Sequence, residues 1–142
     1  KHYSGDQTYF ECNNERWNSN RGITRKVITC LDNMDTRMEV YETWSEIPNK
    51  EFLIDLRMDA LSCEIVTVTQ RHDNYDKHWV SDSSIEPAPC TMKHTIFSSS
   101  IIGGLGVNQT FNCIANKPYY GYIWLGLLPL NLSREDLVKP SI

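Results

Sequence analysis

Alternation of apolar and polar residues along short segments is the sequence feature that most restricts the fold. In residues 51–58, the apolar residues Phe52, Ile54, Leu56 and Met58 alternate with Glu51, Asp55 and Arg57. Such a period of two is typical of strands that lie half-buried in an antiparallel sheet. Alternation, β-branched content and bounding turn residues predict five strands, at 37–44, 51–58, 63–70, 91–99 and 106–113. Residues 80–89 and 98–106 are predicted to be loops.

One segment has the spacing of a helix. Residues 20–34 place apolar side chains at steps of three and four, which puts them on one helix face: Ile23, Val27, Cys30, Leu31 and Met34. Asn33, near the end, tolerates the left-handed conformation found at helix C-termini. The sequence therefore predicts an α+β fold, with one N-terminal helix packed on a central antiparallel sheet of four to five strands.

Length and composition are those of a single domain over residues 1–142, with 40% hydrophobic residues. The net charge of −4 argues against nucleic-acid binding over the whole surface, although it leaves a small local site open. The most apolar stretch, residues 119–130, is too short to span a bilayer and is interrupted by glycine and proline. We predict no membrane span, no metal and no cofactor.

Five cysteines favour a secreted, disulfide-containing protein over a cytosolic one. No Cys-x-x-Cys pair or zinc-like spacing is present. Asn108 and Asn131 begin N-glycosylation acceptor patterns. The chain starts at Lys1, as if a signal peptide had been removed, although a trimmed expression product would begin in the same way.

The N-terminal stretch TYFECNNERW carries an aromatic-x-Cys motif at Phe10, Glu11 and Cys12, and the last predicted strand ends in NQTFNC at Cys113. This motif, followed by one helix, a sheet and a cysteine-bearing last strand, resembles the small guanyl-preferring ribonucleases secreted by fungi. It resembles more closely the ribonuclease-like effectors secreted by powdery mildew fungi. The resemblance covers residues 8–114, leaves 115–142 as a C-terminal extension, and implies a ribonuclease-like fold.

The resemblance also implies a disulfide between Cys12 and Cys113, which would close the domain and stabilise it by roughly 3–5 kcal/mol. At least one of the other three cysteines must stay unpaired. If Cys30 is the free one, Cys63 and Cys90 form a second disulfide, but the sequence leaves this connectivity open.

The family that the chain resembles cleaves RNA with a tyrosine, two histidines, a glutamate and an arginine. Tyr41, Glu51 and His94 match three of these residues. Thr43 stands where the first histidine would be, and Glu64 where the arginine would be. Because a carboxylate there would repel the phosphate, we predict a pseudoenzyme. Without the resemblance, Tyr41 is interpreted as a residue that packs in the sheet. Glu51 is interpreted as a solvent-facing strand residue, and His94 as a core histidine.

Four potential metal ligands fall within residues 71–79, namely His72, Asp73, Asp76 and His78. Their spacing matches no defined site, and we expect a polar loop.

The aromatic residues near the C-terminus allow two interpretations. Tyr119, Tyr120, Tyr122 and Trp124 belong either to a last strand that covers the core or to a surface that binds a partner. Tyrosine and tryptophan are enriched at protein interfaces.

The function implied by the resemblance is that of a secreted, non-catalytic effector that binds host components. The expected partner is a host protein, including a plant intracellular immune receptor after delivery into the host cell cytoplasm. RNA is a weaker expectation, and no membrane is expected. Two alternatives stay open: a divergent active ribonuclease that uses Glu51 and His94, and a secreted lipocalin-like ligand carrier.

Overall fold

The computed structural model describes residue 12, residues 15–81, residue 83 and residues 95–140. In chain order these residues form β1 (Lys26–Thr29), α1 (Met34–Ser45), β2 (Phe52–Met58), β3 (Ser62–Thr69), a 3₁₀ turn (Asp76–His78), α2 (Thr95–Ile114), β4 (Tyr119–Leu127) and β5 (Leu130–Val138). The predicted α+β class is confirmed. The described residues contain two α-helices instead of the single predicted helix.

The sheet is mixed, not purely antiparallel as predicted. Its strand order is β1-β2-β3-β4-β5, with β1 parallel to β2 and the later neighbours antiparallel. A parallel pair needs a crossover connection, and α1 supplies it between β1 and β2. Residues 119–138 lie in the expected C-terminal extension, yet they form two strands of the same sheet. The ribonuclease-like arrangement is not confirmed.

The strands predicted at 51–58 and 63–70 are confirmed as β2 and β3. They pair antiparallel, with Ile54 opposite Thr67 and Asp55 opposite Val66. Their burial differs from the prediction of one solvated face, because residues 52–55 and 65–69 are buried without interruption.

The first helix begins later than predicted. Asn33 is its N-cap: the Asn33 Oδ1 accepts hydrogen bonds from the backbone N–H of Thr36 at 2.7 Å and from the Thr36 hydroxyl at 2.8 Å. The buried side chains of α1 follow at helical spacing: Met34, Arg37, Val40 and Trp44. The predicted helix over 20–34 and the predicted strand over 37–44 are therefore wrong.

The second helix, α2, replaces two predicted strands and a loop. The predicted strand at 106–113 and loop at 98–106 are wrong, and the predicted strand at 91–99 is wrong from residue 95 onward; residues 91–94 lie outside the described residues. Burial of Ser98, Ile102 and Gln109 follows a helical period and sets the face that packs on the sheet.

One helix covers each face of the sheet. The core under α1 consists of Val40, Trp44, Leu53, Val66, Val68 and Tyr75. The core under α2 consists of Phe52, Ile54, Cys63, Ile65, Ile102 and Ile123. Gly106 allows α2 to approach β2 closely, because a Cβ on Gly106 would lie 2.8 Å from Leu56 Cδ1.

The predicted disulfide closure is not confirmed. Cys12, Cys30, Cys63 and Cys113 are free thiols, and Cys90 lies outside the described residues. Cys113 lies near the end of α2, not on a strand.

Candidate functional site

Tyr41, one of the three predicted remnant residues, lies on α1. Its ring stacks on that of Tyr75 with 4.2 Å between the ring centroids, and its hydroxyl donates to Asp73 Oδ2 at 2.9 Å. Burial and the Asp73 carboxylate raise the pKa of Tyr41 above its usual value, so the phenol stays protonated at neutral pH. These contacts favour the packing interpretation of Tyr41.

Glu51, the second candidate, precedes β2. Its carboxylate lies 3.3 Å from the Arg25 guanidinium and 3.2 Å from Lys26 Nζ. Glu51 also lines an open cleft of about 450 Å³ together with Lys50 and Arg71. Tyr41 contacts Asp73 and Tyr75, whereas Glu51 contacts Arg25 and Lys26. His94 lies outside the described residues.

The most connected polar group in the described residues is Asp55 on β2, which is fully buried. Its carboxylate accepts hydrogen bonds from Thr29 Oγ1 at 2.5 Å, Arg57 Nε at 2.7 Å, Tyr75 OH at 3.0 Å, and from Arg37 Nη1. A buried carboxylate requires such partners because it has lost its hydration. The four donors connect β1, α1 and the segment before the 3₁₀ turn to β2.

Arg57 continues this cluster toward the surface. It lies directly opposite Glu64 on β3, with 3.7 Å between Arg57 Nη1 and Glu64 Oε2. Its Nη1 also donates to the His78 carbonyl, whereas its Nη2 is buried and has no hydrogen-bond partner among the described residues. Arg57 was not among the predicted site residues, because its place in the alternation of residues 51–58 is that of a solvent-facing side chain.

His78 and Tyr122 close the outer side of the cluster. Their rings stack with 3.8 Å between centroids and an interplanar angle of 5°. Burial, with the nearby Lys77 and Arg57 cations, lowers the pKa of His78. In the part of the chain that the structure describes, His78 Nε2 has no hydrogen-bond partner. Burial and the Glu64 carboxylate raise the pKa of Tyr122 to about 12.

This cluster contains a carboxylate, an imidazole and a guanidinium, which are the group types that metal-free RNA cleavage uses. The cation and the imidazole are both largely shielded from solvent here. The side chains of Arg57 and His78 are only 8% and 10% exposed, and Arg57 is already engaged by Asp55. The arrangement holds β2, β3, β4 and the 3₁₀ turn together.

The predicted interface aromatics divide into two groups. Tyr119 is buried, and its hydroxyl shares a 2.6 Å hydrogen bond with Thr69 Oγ1. Tyr120, Tyr122 and Trp124 are half-buried on β4, an inner strand of the sheet.

The exposed apolar side chains of this region lie beyond those aromatics. They are Leu128, Leu130, Leu132 and Leu137, with exposed fractions of 77%, 78%, 55% and 50%. None of the four was among the predicted interface residues, although three of them lie in the apolar run LGLLPLNL at residues 125–132.

The loop over residues 71–79 disperses its four potential metal ligands. His72 Nε2 lies 3.5 Å from Asp136 Oδ2, Asp73 bonds Tyr41, and His78 stacks on Tyr122. Among the described residues, no group of three His, Cys, Asp or Glu side chains is placed to hold a metal ion.

No protein-family model matches the sequence, and no curated protein is similar to it. In the part of the chain that the structure describes, no helix has both the length and the apolar character needed to cross a membrane. The function is therefore inferred from the described side chains.

Proposed function

We propose that this chain is a non-catalytic binding protein that recognises another protein through the hairpin of β4 and β5. The observation that carries the proposal is the exposed edge strand β5. It pairs with β4 on one side, and no described strand pairs with its other side. A free strand edge with apolar side chains is a template for an added strand from a partner.

Charge restricts the docking region to the first half of β5. Arg134, Glu135 and Asp136 occupy the second half, and Asp136 has a positive φ of 57° that interrupts regular pairing. Charged residues and irregular backbone are the usual protection of an edge strand. Residues 130–133 lack both, and Leu130 and Leu132 point to the same face because side chains alternate along a strand.

The wider role that we assign is the one implied by the resemblance, namely a secreted effector that binds a host protein, with a plant intracellular immune receptor among the candidates. The aromatic-x-Cys start at Cys12 supports this role. The acidic net charge of −4 supports a protein partner over RNA.

Affinity capture from plant extract tests the proposal when each captured protein is then purified and its affinity measured by calorimetry. The double variant Leu130→Asp with Leu132→Asp should bind at least tenfold more weakly than the wild type. Leu137→Asp is the matched control, since Leu137 is exposed on the protected half of β5, and its binding should stay within about twofold. A double variant that binds like the wild type would reject this surface.

A divergent ribonuclease is the second candidate, favoured by the cleft where Glu51 meets cationic side chains. In that reaction Glu51 would take the proton of the 2′-hydroxyl as the 2′-oxygen bonds to phosphorus, and His94 would protonate the 5′-oxygen as its bond to phosphorus breaks. Arg71 and Lys50 would stabilise the negative charge on the oxygens of the phosphorane. An RNA-cleavage assay without metal compares the wild type with Glu51→Gln and His94→Ala, with Glu42→Gln as the exposed control. Turnover that only Glu51→Gln and His94→Ala abolish would overturn the non-catalytic proposal.

The lipocalin-like alternative requires a closed barrel. The described strands instead form an open sheet with β1 and β5 at its edges.

A further inference from the structure

The outer face of α2 is unusual for a surface helix. The 20 residues of α2 include no acidic or basic side chain. Six large apolar side chains on this helix are more than one-third exposed: Ile96, Phe97, Ile101, Val107, Phe111 and Ile114. Surface helices normally place polar residues opposite the core, and exposed apolar patches mark interaction sites.

Four of the six exposed residues are arranged symmetrically about Gly104. Ile101 and Val107 lie three residues before and after it, and Phe97 and Phe111 lie seven residues before and after it. Seven residues are close to two helical turns, so Phe97, Gly104 and Phe111 lie along one line. Around Gly104 the space that a Cβ would occupy is open.

We propose that this face is a homodimer interface, in which α2 of one copy packs antiparallel on α2 of a second copy with Gly104 at the two-fold axis. In that register Phe97 contacts Phe111 of the second copy, and Ile101 contacts Val107 of the second copy. A two-fold interface must be complementary to itself, and a sequence that reads alike in both directions from its centre meets this condition.

Charge and shape both favour a second copy over an unrelated occupant. Two chains with a net charge of −4 repel each other, but α2 itself carries no acidic or basic side chain. The Lys117 ammonium, 4.7 Å from the centroid of the Phe111 ring, adds a cation and not an anion beside this face. Glycine at the crossing point lets the two backbones approach, and the phenylalanines fill the space where the helices diverge. An unrelated partner would impose no symmetry about Gly104.

The available area indicates a reversible dimer. The six apolar side chains, four of them aliphatic, offer roughly 600 Å² per copy, on a scale where one aromatic side chain buries about 150–250 Å². A standard interface buries about 800 Å² per partner. The dimer should therefore form and dissociate with concentration.

Sedimentation equilibrium of unglycosylated full chain, over a concentration range of about a thousandfold, tests the proposal. The mass of the wild type should rise from 16.5 kDa toward twice that value. Ile101→Lys alone and Val107→Glu alone should each weaken association at least tenfold. Ser99→Lys, on the exposed flank of α2, is the control and should leave association within about twofold.

The register gives a second and sharper readout. Because position 101 of one copy faces position 107 of the other, an equimolar mixture of the Ile101→Lys and Val107→Glu chains should associate more tightly than either chain alone. Circular dichroism verifies that each variant keeps its helix content.

A wild type that stays at 16.5 kDa at every concentration would overturn the proposal, and would indicate that residues of the same chain or an unrelated protein cover this face. A mixture that associates no better than the separate variants would overturn the antiparallel register.

Discussion

Replacement of Asp55 by asparagine is the most direct test of the buried polar cluster. The carboxylate accepts hydrogen bonds from two arginines, Arg37 and Arg57, as well as from Thr29 and Tyr75. An amide keeps one acceptor oxygen but directs an NH₂ group toward one of the guanidinium groups. Because the amide is neutral, both arginines lose the charge of Asp55 while they stay inside the protein.

The expected loss is large relative to the stability of a domain. Removal of one partner from a buried ion pair costs about 3–5 kcal/mol, and the free energy of unfolding of a whole domain is about 5–15 kcal/mol. We expect Asp55→Asn to lower the free energy of unfolding by about 4 kcal/mol. Glu64→Gln changes the other carboxylate near Arg57, but that side chain is 34% exposed and 3.7 Å away, so its cost should stay below about 1 kcal/mol.

Urea unfolding, followed by tryptophan fluorescence and compared at equal m-values, measures both changes. Tyr75→Phe removes a single donor to Asp55 and should cost about 1–2 kcal/mol, which keeps the comparison usable if Asp55→Asn does not fold. The explanation fails if Asp55→Asn costs no more than Glu64→Gln.

Three further results are expected. Gly106→Ala should lower the free energy of unfolding by about 1–3 kcal/mol, since the new Cβ would lie 2.8 Å from Leu56 Cδ1. Gly103→Ala, where the space around the new Cβ is open, should instead raise the free energy of unfolding by about 0.5–1 kcal/mol. Urea titrations distinguish the two signs. Burial lowers the pKa of His78, so the folded state favours the neutral ring. The free energy of unfolding should therefore be highest above about pH 6.5 and should fall as the pH decreases below that value. In His78→Gln this part of the pH dependence should be absent from urea titrations at several pH values. Burial raises the pKa of Cys113 to about 11, so alkylation at pH 8 should be slow in the folded protein and fast in urea, whereas complete resistance under both conditions would indicate a disulfide.

β2 and β3 were predictable because their alternation reflects real strand geometry. The helices were not predictable from the same rule. In α2, serines and glycines lie among β-branched residues, and this composition predicts strands and a loop. Only the packing of this segment on the sheet shows that it is a helix. Asn33 is favourable both at the end of a helix and as an N-cap, and the sequence does not show on which side of it the helix lies. We predicted a helix before Asn33, whereas α1 follows it.

The polar cluster was hidden for a related reason. Asp55 and Arg57 alternate with the apolar residues of β2, so in a half-buried strand their side chains would face solvent. The structure covers that row with α1, so the same residues become buried and must satisfy one another. A single sequence contains no local signal that a helix covers the polar side of a strand. The exposed leucines near residue 130, in contrast, were visible in the sequence as an apolar run that lay outside the five predicted strands and the predicted helix.

The two acceptor patterns for N-linked sugars fall on the two proposed contact surfaces. Asn108 is exposed one turn from Gly104 on α2, and Asn131 is exposed between Leu130 and Leu132 on β5. An oligosaccharide on Asn108 would hold two α2 helices apart, and one on Asn131 would cover the free strand edge. A preparation from bacteria, without these sugars, and a preparation that carries them would therefore present different contact surfaces. The cell that produces the chain would determine whether a partner can bind at α2 or at β5.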